Sequence, residues 1–426
     1  MPAKRTLISR AGALAVLAGL LMVVSPAWAW SEHVLYSFSN DGTDGFTPYS
    51  SLIFDASGNL YGTTALGGTY GCGAVFELSP AGQSWTETII YSFQNNGSDG
   101  CEPYAGLIFD QAGNLYGTTY AGGNAGQGTV FKLLPSGNGQ WQEKVLQRFA
   151  GSRGAYPAAG LTFDSAGNLY GTTVEGGTGA SCTAGCGVVF ELIPTAKGGW
   201  NEAVLYSFAG GNGDGAWPFS RVILDASGNV YGTTFAGGQS FAGTVFELTP
   251  SGGGQWSETV LYSFNHNRKD AVEPMAGVVF DTAGNLYGTT SSGGRFQQGT
   301  VFELSPGASG WNETILHSFN NNGKDGCQPY DGLVISPAGR LYGTTFSGGS
   351  SGSGWGTVFV MLKGSSGKWG DRVLYSFNNN GRDGYAPYLG SLIQDSKGHL
   401  YGTTAYGGTG SNCGPSGCGT VFEVAP

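Results

Sequence analysis

The chain has 426 residues, 78 of them glycine; 40% are hydrophobic and 13% aromatic, but only 11% are charged. Apolar residues at regular spacing exclude disorder despite the glycine, and the low charge points to an all-β extracellular protein. With 19 Lys+Arg against 29 Asp+Glu, the chain lacks the basic patches that a phosphate backbone requires, which excludes nucleic acid as a partner.

Lys4, Arg5 and Arg10 precede the apolar run AGALAVLAGLLMVV, and Ala27-Trp28-Ala29 forms a small-x-small cleavage site. Residues 1–29 therefore read as a secretory signal peptide, since the apolar run is short for a bilayer span. Cleavage after Ala29 removes three basic residues and no acid, leaving 16 against 29 and a net charge of −13. The product is expected to be secreted or periplasmic, monomeric, and without a membrane span. Next comes WSEHVLYSF, Trp30 to Phe38, which has the form of the last segment of a repeat seen whole further on, as WSETVLYSF at Trp256 to Phe264.

YGTT occurs seven times, at Tyr61, Tyr116, Tyr170, Tyr231, Tyr287, Tyr342 and Tyr401, at intervals of 54 to 61 residues. Four segments recur around each copy, in copy four RVILD, NVYGTT, GTVFEL and WSETVLYSF. They are short, rich in Val, Ile, Leu, Tyr, Phe and Thr, and bounded by Gly, Pro, Asn or Ser, which predicts strands of five to seven residues. Asp-x-x-Gly-Asn between the first two, as at Asp55 to Asn59, predicts a tight hairpin, with Asp capping the turn and Gly taking positive φ. Seven such units predict a seven-bladed β-propeller with four-stranded blades, forming one domain from 30 to 426. Copy seven ends after its third segment, Gly419 to Val424. The N-terminal WSEHVLYSF supplies its outer strand and closes the ring. A linear solenoid leaves that partial copy unexplained.

The pattern GNLYGTT, two residues, GG, a loop, then GTVFEL resembles the bacterial GloVer tandem-repeat proteins, also called choice-of-anchor repeat proteins, over essentially the whole mature chain. The resemblance implies no assigned activity and anchoring that varies between members; a C-terminal sorting segment is not visible here. The inner hairpin is also similar, more weakly, to NHL-type propellers.

Naming the strands a to d from centre to rim, the b–c loops and d–a connections share one face. The connections carry Asp44, Asp99, Asp214, Asp270, Asp325 and Asp383; copy three has none. A Ca²⁺-binding ring is one reading, and aspartates capping their own turns the preferred one. After each connection's proline stand Tyr49, Tyr104, Ala158, Phe219, Met275, Tyr330 and Tyr388. The aromatics among them are candidates for stacking on a glycan near the mouth of the central channel, or for packing between blades. W-x-acid before every outer strand, as in Trp85 and Glu87, reads as scaffold.

Disulfides are expected for Cys182–Cys186, Cys413–Cys418 and Cys72–Cys101, leaving Cys327 alone; zinc is the rival reading. His33, His266, His317 and His399 occupy different repeat positions and form no catalytic motif. The most irregular connection, HNRKDAVEP, holds His266, Asp270 and Glu273, with Arg295 on the same copy's b–c loop, and these are the catalytic candidates. The preferred expectation is a non-catalytic binding module for a glycan or an extracellular protein, without an obligate cofactor. A polysaccharide hydrolase or lyase and a structural envelope protein are the alternatives.

Overall fold

The structure, a computed structural model, describes residues 30–308, 310–350 and 354–426. The signal-peptide reading of residues 1–29 lies outside them. In copy one, Ile53–Phe54, Leu60–Thr64, Ala74–Ala81 and Ser84–Ser92 form an antiparallel four-stranded meander. The same order recurs to give seven blades of a β-propeller.

The YGTT motif resolves into distinct contacts. Its tyrosine anchors the hairpin: Asp110 accepts the N–H groups of Ala112 and Asn114 at 2.9 Å, and the Tyr116 hydroxyl at 2.9 Å. A side chain on its glycine has no room, since a Cβ on Gly117 would lie 2.6 Å from Cζ of Phe131 on the next strand. The first threonine crosses to the following blade, where Thr118 Oγ1 donates to the Ala159 carbonyl at 2.9 Å. Copies one, three, four, five and seven repeat this bond through Thr63, Thr172, Thr233, Thr289 and Thr403. The second threonine ties its own loop, as Thr119 does to the Ala121 carbonyl.

Strand a differs from expectation, pairing over two residues in every blade and not five or more. Upstream of it, side chains take the polar groups that a longer ladder would use. Ser50 Oγ accepts the Thr63 N–H at 2.9 Å, and the Ser50 carbonyl accepts the Thr403 hydroxyl at 3.0 Å.

The N-terminal strand Ser31–Ser37 lies on Thr420–Ala425, in register from Ser31 with Ala425 to Ser37 with Thr420. Its irregularity between Val34 and Tyr36 matches the bulge of the other six outer strands. Beyond it, Phe38 N–H bonds the Gly419 carbonyl at 3.0 Å, as Phe93 bonds Gly73 at 3.0 Å in copy one. The ring is closed, not a solenoid. The core divides into seven apolar clusters, one per seam; that of the closing seam joins Phe38, Tyr401 and Val421 to Leu52, Leu60 and Phe76.

Candidate functional site

On one face, each connection pairs with the b–c loop of the blade it enters. Gly45–Phe46 pairs with Leu66–Gly67, five other copies repeat this clasp, and copy three keeps a single bridge, Ala155 to Glu175. One residue past the clasp the backbone turns left-handed, at Thr47, Glu102, Tyr156, Trp217, Glu273, Gln328 and Ala386, with φ between 53° and 61°. Each of these N–H groups bonds the preceding blade's b–c loop carbonyl at 2.8–2.9 Å. Left-handed backbone costs a residue with a Cβ roughly 1–2 kcal/mol. In a chain with 78 glycines, none occupies these seven positions. Side chains are therefore kept around this rim against a local cost, the pattern associated with functional surfaces.

Proline follows, and then the candidate aromatics, half-buried and in mutual contact. Tyr49 meets Tyr104 (centroids 5.8 Å apart) and Tyr388 (5.2 Å), and Tyr388 meets Tyr330 (5.3 Å). The arc extends through Tyr120, stacked on Tyr104 at 5.0 Å, to Tyr156, and at its other end to Phe346 against Tyr330 and Tyr388. It spans blades three, two, one, seven and six. Phe219 forms a separate pair with Phe235, and Ala158 and Met275 interrupt the arc. Tyr120, Phe235 and Phe346 were missed in the sequence; each directly follows YGTT, a position otherwise filled by Ala, Val or Ser. Burial raises the Tyr49, Tyr104 and Tyr330 phenols, helped at Tyr104 by Glu102, which accepts its hydroxyl at 2.9 Å. They remain neutral, a form suited to stacking and to hydrogen bonding with hydroxyls. Trp217, Phe241 and Tyr70 stand exposed in loops of the same face.

The six connection aspartates are engaged within the fold. Asp44 accepts Ser39 N–H at 2.8 Å and the Tyr36 hydroxyl at 3.0 Å, and Asp99, Asp214, Asp270, Asp325 and Asp383 repeat the arrangement, with His317 replacing tyrosine at Asp325. In every one of the six a backbone N–H donates to Oδ2 of the carboxylate, as expected for an aspartate that caps its own turn.

Five of the aspartates also face the W-x-acid residue of the following blade: Asp44 faces Glu87, Asp99 Glu143, Asp214 Glu258, Asp270 Glu313 and Asp383 Glu32. Burial first, then the facing aspartate, raises all five glutamates, Glu87 to about 8 and Glu143 and Glu258 to about 7. Two seams depart with compensation. In copy three Arg153 stands at the aspartate position and pairs with Glu202 at 2.6 Å, where Gln147, replacing tyrosine, also donates. At the sixth seam His317 lies between Asp325 (Nε2, 3.0 Å) and Asp371 (Nδ1, 3.3 Å). These three are the metal-ligand types that cluster among the described residues. The two ring nitrogens face different carboxylates, so the imidazole bridges the two acids across the seam.

Among the described residues no hydrogen bond or ion pair links the four catalytic candidates to one another. Asp270 belongs to its seam, Glu273 accepts the Ser292 hydroxyl at 2.7 Å, Arg295 lies 5.2 Å over Phe296, and His266 is exposed. Cys72–Cys101, Cys182–Cys186 and Cys413–Cys418 are disulfides, and Cys327 is a buried free thiol. No helix among the described residues is long and apolar enough to cross a membrane.

The Gloeobacter/Verrucomicrobia repeat family matches residues 17–223 and 138–322. No curated protein matches the chain. Among solved structures, similarity extends to a candidate 6-phosphogluconolactonase from Bacteroides uniformis, at 12% identity and a TM-score of 0.49, over 76% of this chain and 83% of that one. A protein of unknown function from Dyadobacter fermentans is 13% identical with a TM-score of 0.43, over 92% and 96%. A candidate glucose dehydrogenase from Thermus thermophilus is 16% identical with a TM-score of 0.42, over 74% and 94%. At these scores none bears on activity.

Proposed function

The chain belongs to the Gloeobacter/Verrucomicrobia repeat family, and from that premise we propose that it is an exported binding module which takes a glycan on the aromatic arc around its channel mouth. A propeller of this family is compatible with a binding or a structural role, and fold alone assigns neither. The observation that carries the binding reading is the contiguity of Tyr49, Tyr104, Tyr330 and Tyr388 on the face where seven left-handed residues retain side chains. Half-buried aromatic faces offer stacking area to sugar rings, and Glu102, Glu273 and Gln328 bring polar groups to the same rim. Three disulfides among the described residues fit an oxidising compartment, in keeping with the signal-peptide reading.

The test is a glycan and polysaccharide binding screen on the purified protein, with and without Ca²⁺, in which bound material is analysed for cleavage. Binding without products is expected, and Tyr104→Ala and Tyr330→Ala should each weaken it about tenfold, the equivalent of about 1.4 kcal/mol. Binding unchanged in both variants would move the site off the arc. Released products would replace the module with an enzyme.

A further inference from the structure

Below the aromatic mouth, residues of all seven blades line a central channel of about 490 Å³. Six copies place glycine or serine at one position on its wall: Ser51, Gly106, Gly160, Gly277, Gly332 and Ser391. Copy four has Arg221 there. It is the charged side chain of the channel lining, whose other members are apolar, small or hydroxylic. Among the described residues Arg221 has no hydrogen bond, ion pair or ring partner, although 29 carboxylates are present in the chain. Its side chain runs beside the neighbouring blade, with Cδ 3.6 Å from where a Cβ on Gly160 would sit. The guanidinium is reached by water inside the channel, yet the surrounding blades lower its pKa by desolvation.

We propose that this channel is a binding site for a small organic carboxylate, gripped by the guanidinium of Arg221. Six copies fill this position with glycine or serine, so packing of the wall does not call for an arginine there, and its solvent-exposed side chain is free to meet an anion. The volume falls within the roughly 300–1,000 Å³ of small-molecule sites. The planar fork of arginine matches a carboxylate through two parallel hydrogen bonds. Phe219, two residues before Arg221, also lines the channel, together with Met275 and Tyr330. A cation and these apolar side chains on one wall suit a ligand with its carboxylate at one end and a compact ring at the other, such as a sugar acid. This site does not depend on the aromatic arc being a glycan surface.

The experiment is calorimetric titration of the protein with glucuronate, glucose and inorganic phosphate, repeated on Arg221→Ser and Arg221→Lys. Serine already fills this position in blades one and seven, so the serine variant should fold, which its thermal midpoint will verify. Glucuronate is expected to bind wild type, to lose at least tenfold in Arg221→Ser, and to be partly restored in Arg221→Lys, which keeps the charge without the fork; glucose should not show this dependence. Arg221-dependent phosphate binding tighter than glucuronate would overturn the carboxylate class in favour of an inorganic anion. Absence of glucuronate binding to wild type, or equal binding to Arg221→Ser, would overturn the site.

Discussion

At the scale of single residues, most departures from the repeat prove to be repairs. Asp331 is an example. Copy seven carries one extra residue, Leu389, in its connection, and Thr344 does not make the carbonyl bond to the next blade seen in the other six copies. The fully buried Asp331 carboxylate takes up the loose Thr344 hydroxyl on one oxygen and lies near the Gly390 N–H. Desolvation raises its pKa from 3.8 to about 7. Asp331→Ala should cost about 1–3 kcal/mol in denaturant unfolding at about pH 5, where the acid is neutral and hydrogen-bonded, and less at about pH 9, where the wild-type carboxylate is ionised in a dry site. An equal cost at both pH values would refute that account. YGTT and its hairpin were legible because the contacts are local and repeated seven times. The insertion at Leu389 was visible too, but its consequence at Asp331, 58 residues earlier, was not, because the two meet only where blade six packs against blade seven.

At the scale of elements, the outer strands are joined by paired acids, and this makes stability depend on pH. The folded-state pKa of each paired glutamate lies above the ordinary 4.5, at about 8 for Glu87 and about 7 for Glu143 and Glu258. The folded protein therefore holds protons that the unfolded chain releases. That contribution is fully present below about pH 4.5 and is lost as pH rises through about 7 to 8. Asp110 and Asp281 act oppositely: hydrogen bonds hold them below 3.8, so their contribution is lost in stronger acid. The thermal midpoint should be highest near about pH 5 and fall steadily to about pH 9, and Glu87→Gln should flatten that fall. A midpoint that rises between those values would refute the reading. The W-x-acid motif was seen as scaffold from its presence in every copy; that its acid faces an aspartate some forty residues earlier was hidden, because the two meet only across a seam. The short inner strands were misjudged for a related reason: their hydrogen-bonding partners are side chains of neighbouring blades, which segment patterns do not contain.

At the scale of the whole molecule, one strand decides whether there is a ring and whether there is an arc. Ser31–Ser37 completes blade seven, and across the same seam Tyr388 of blade seven meets Tyr49 of blade one. The sevenfold pattern made the ring readable, and the stray WSEHVLYSF made its closure readable. The arc was only half readable, since the residues after proline recur whereas those after YGTT alternate between large and small. The most direct measurement is calorimetric unfolding of the protein beginning at Trp30 beside one beginning at Ser39. If the strand closes the ring, its loss exposes the edge of Thr420–Ala425 and opens the cluster around Phe38, and the midpoint should fall by on the order of 10 °C or more. An unchanged midpoint would contradict closure, and with it the contact that joins the two halves of the aromatic arc.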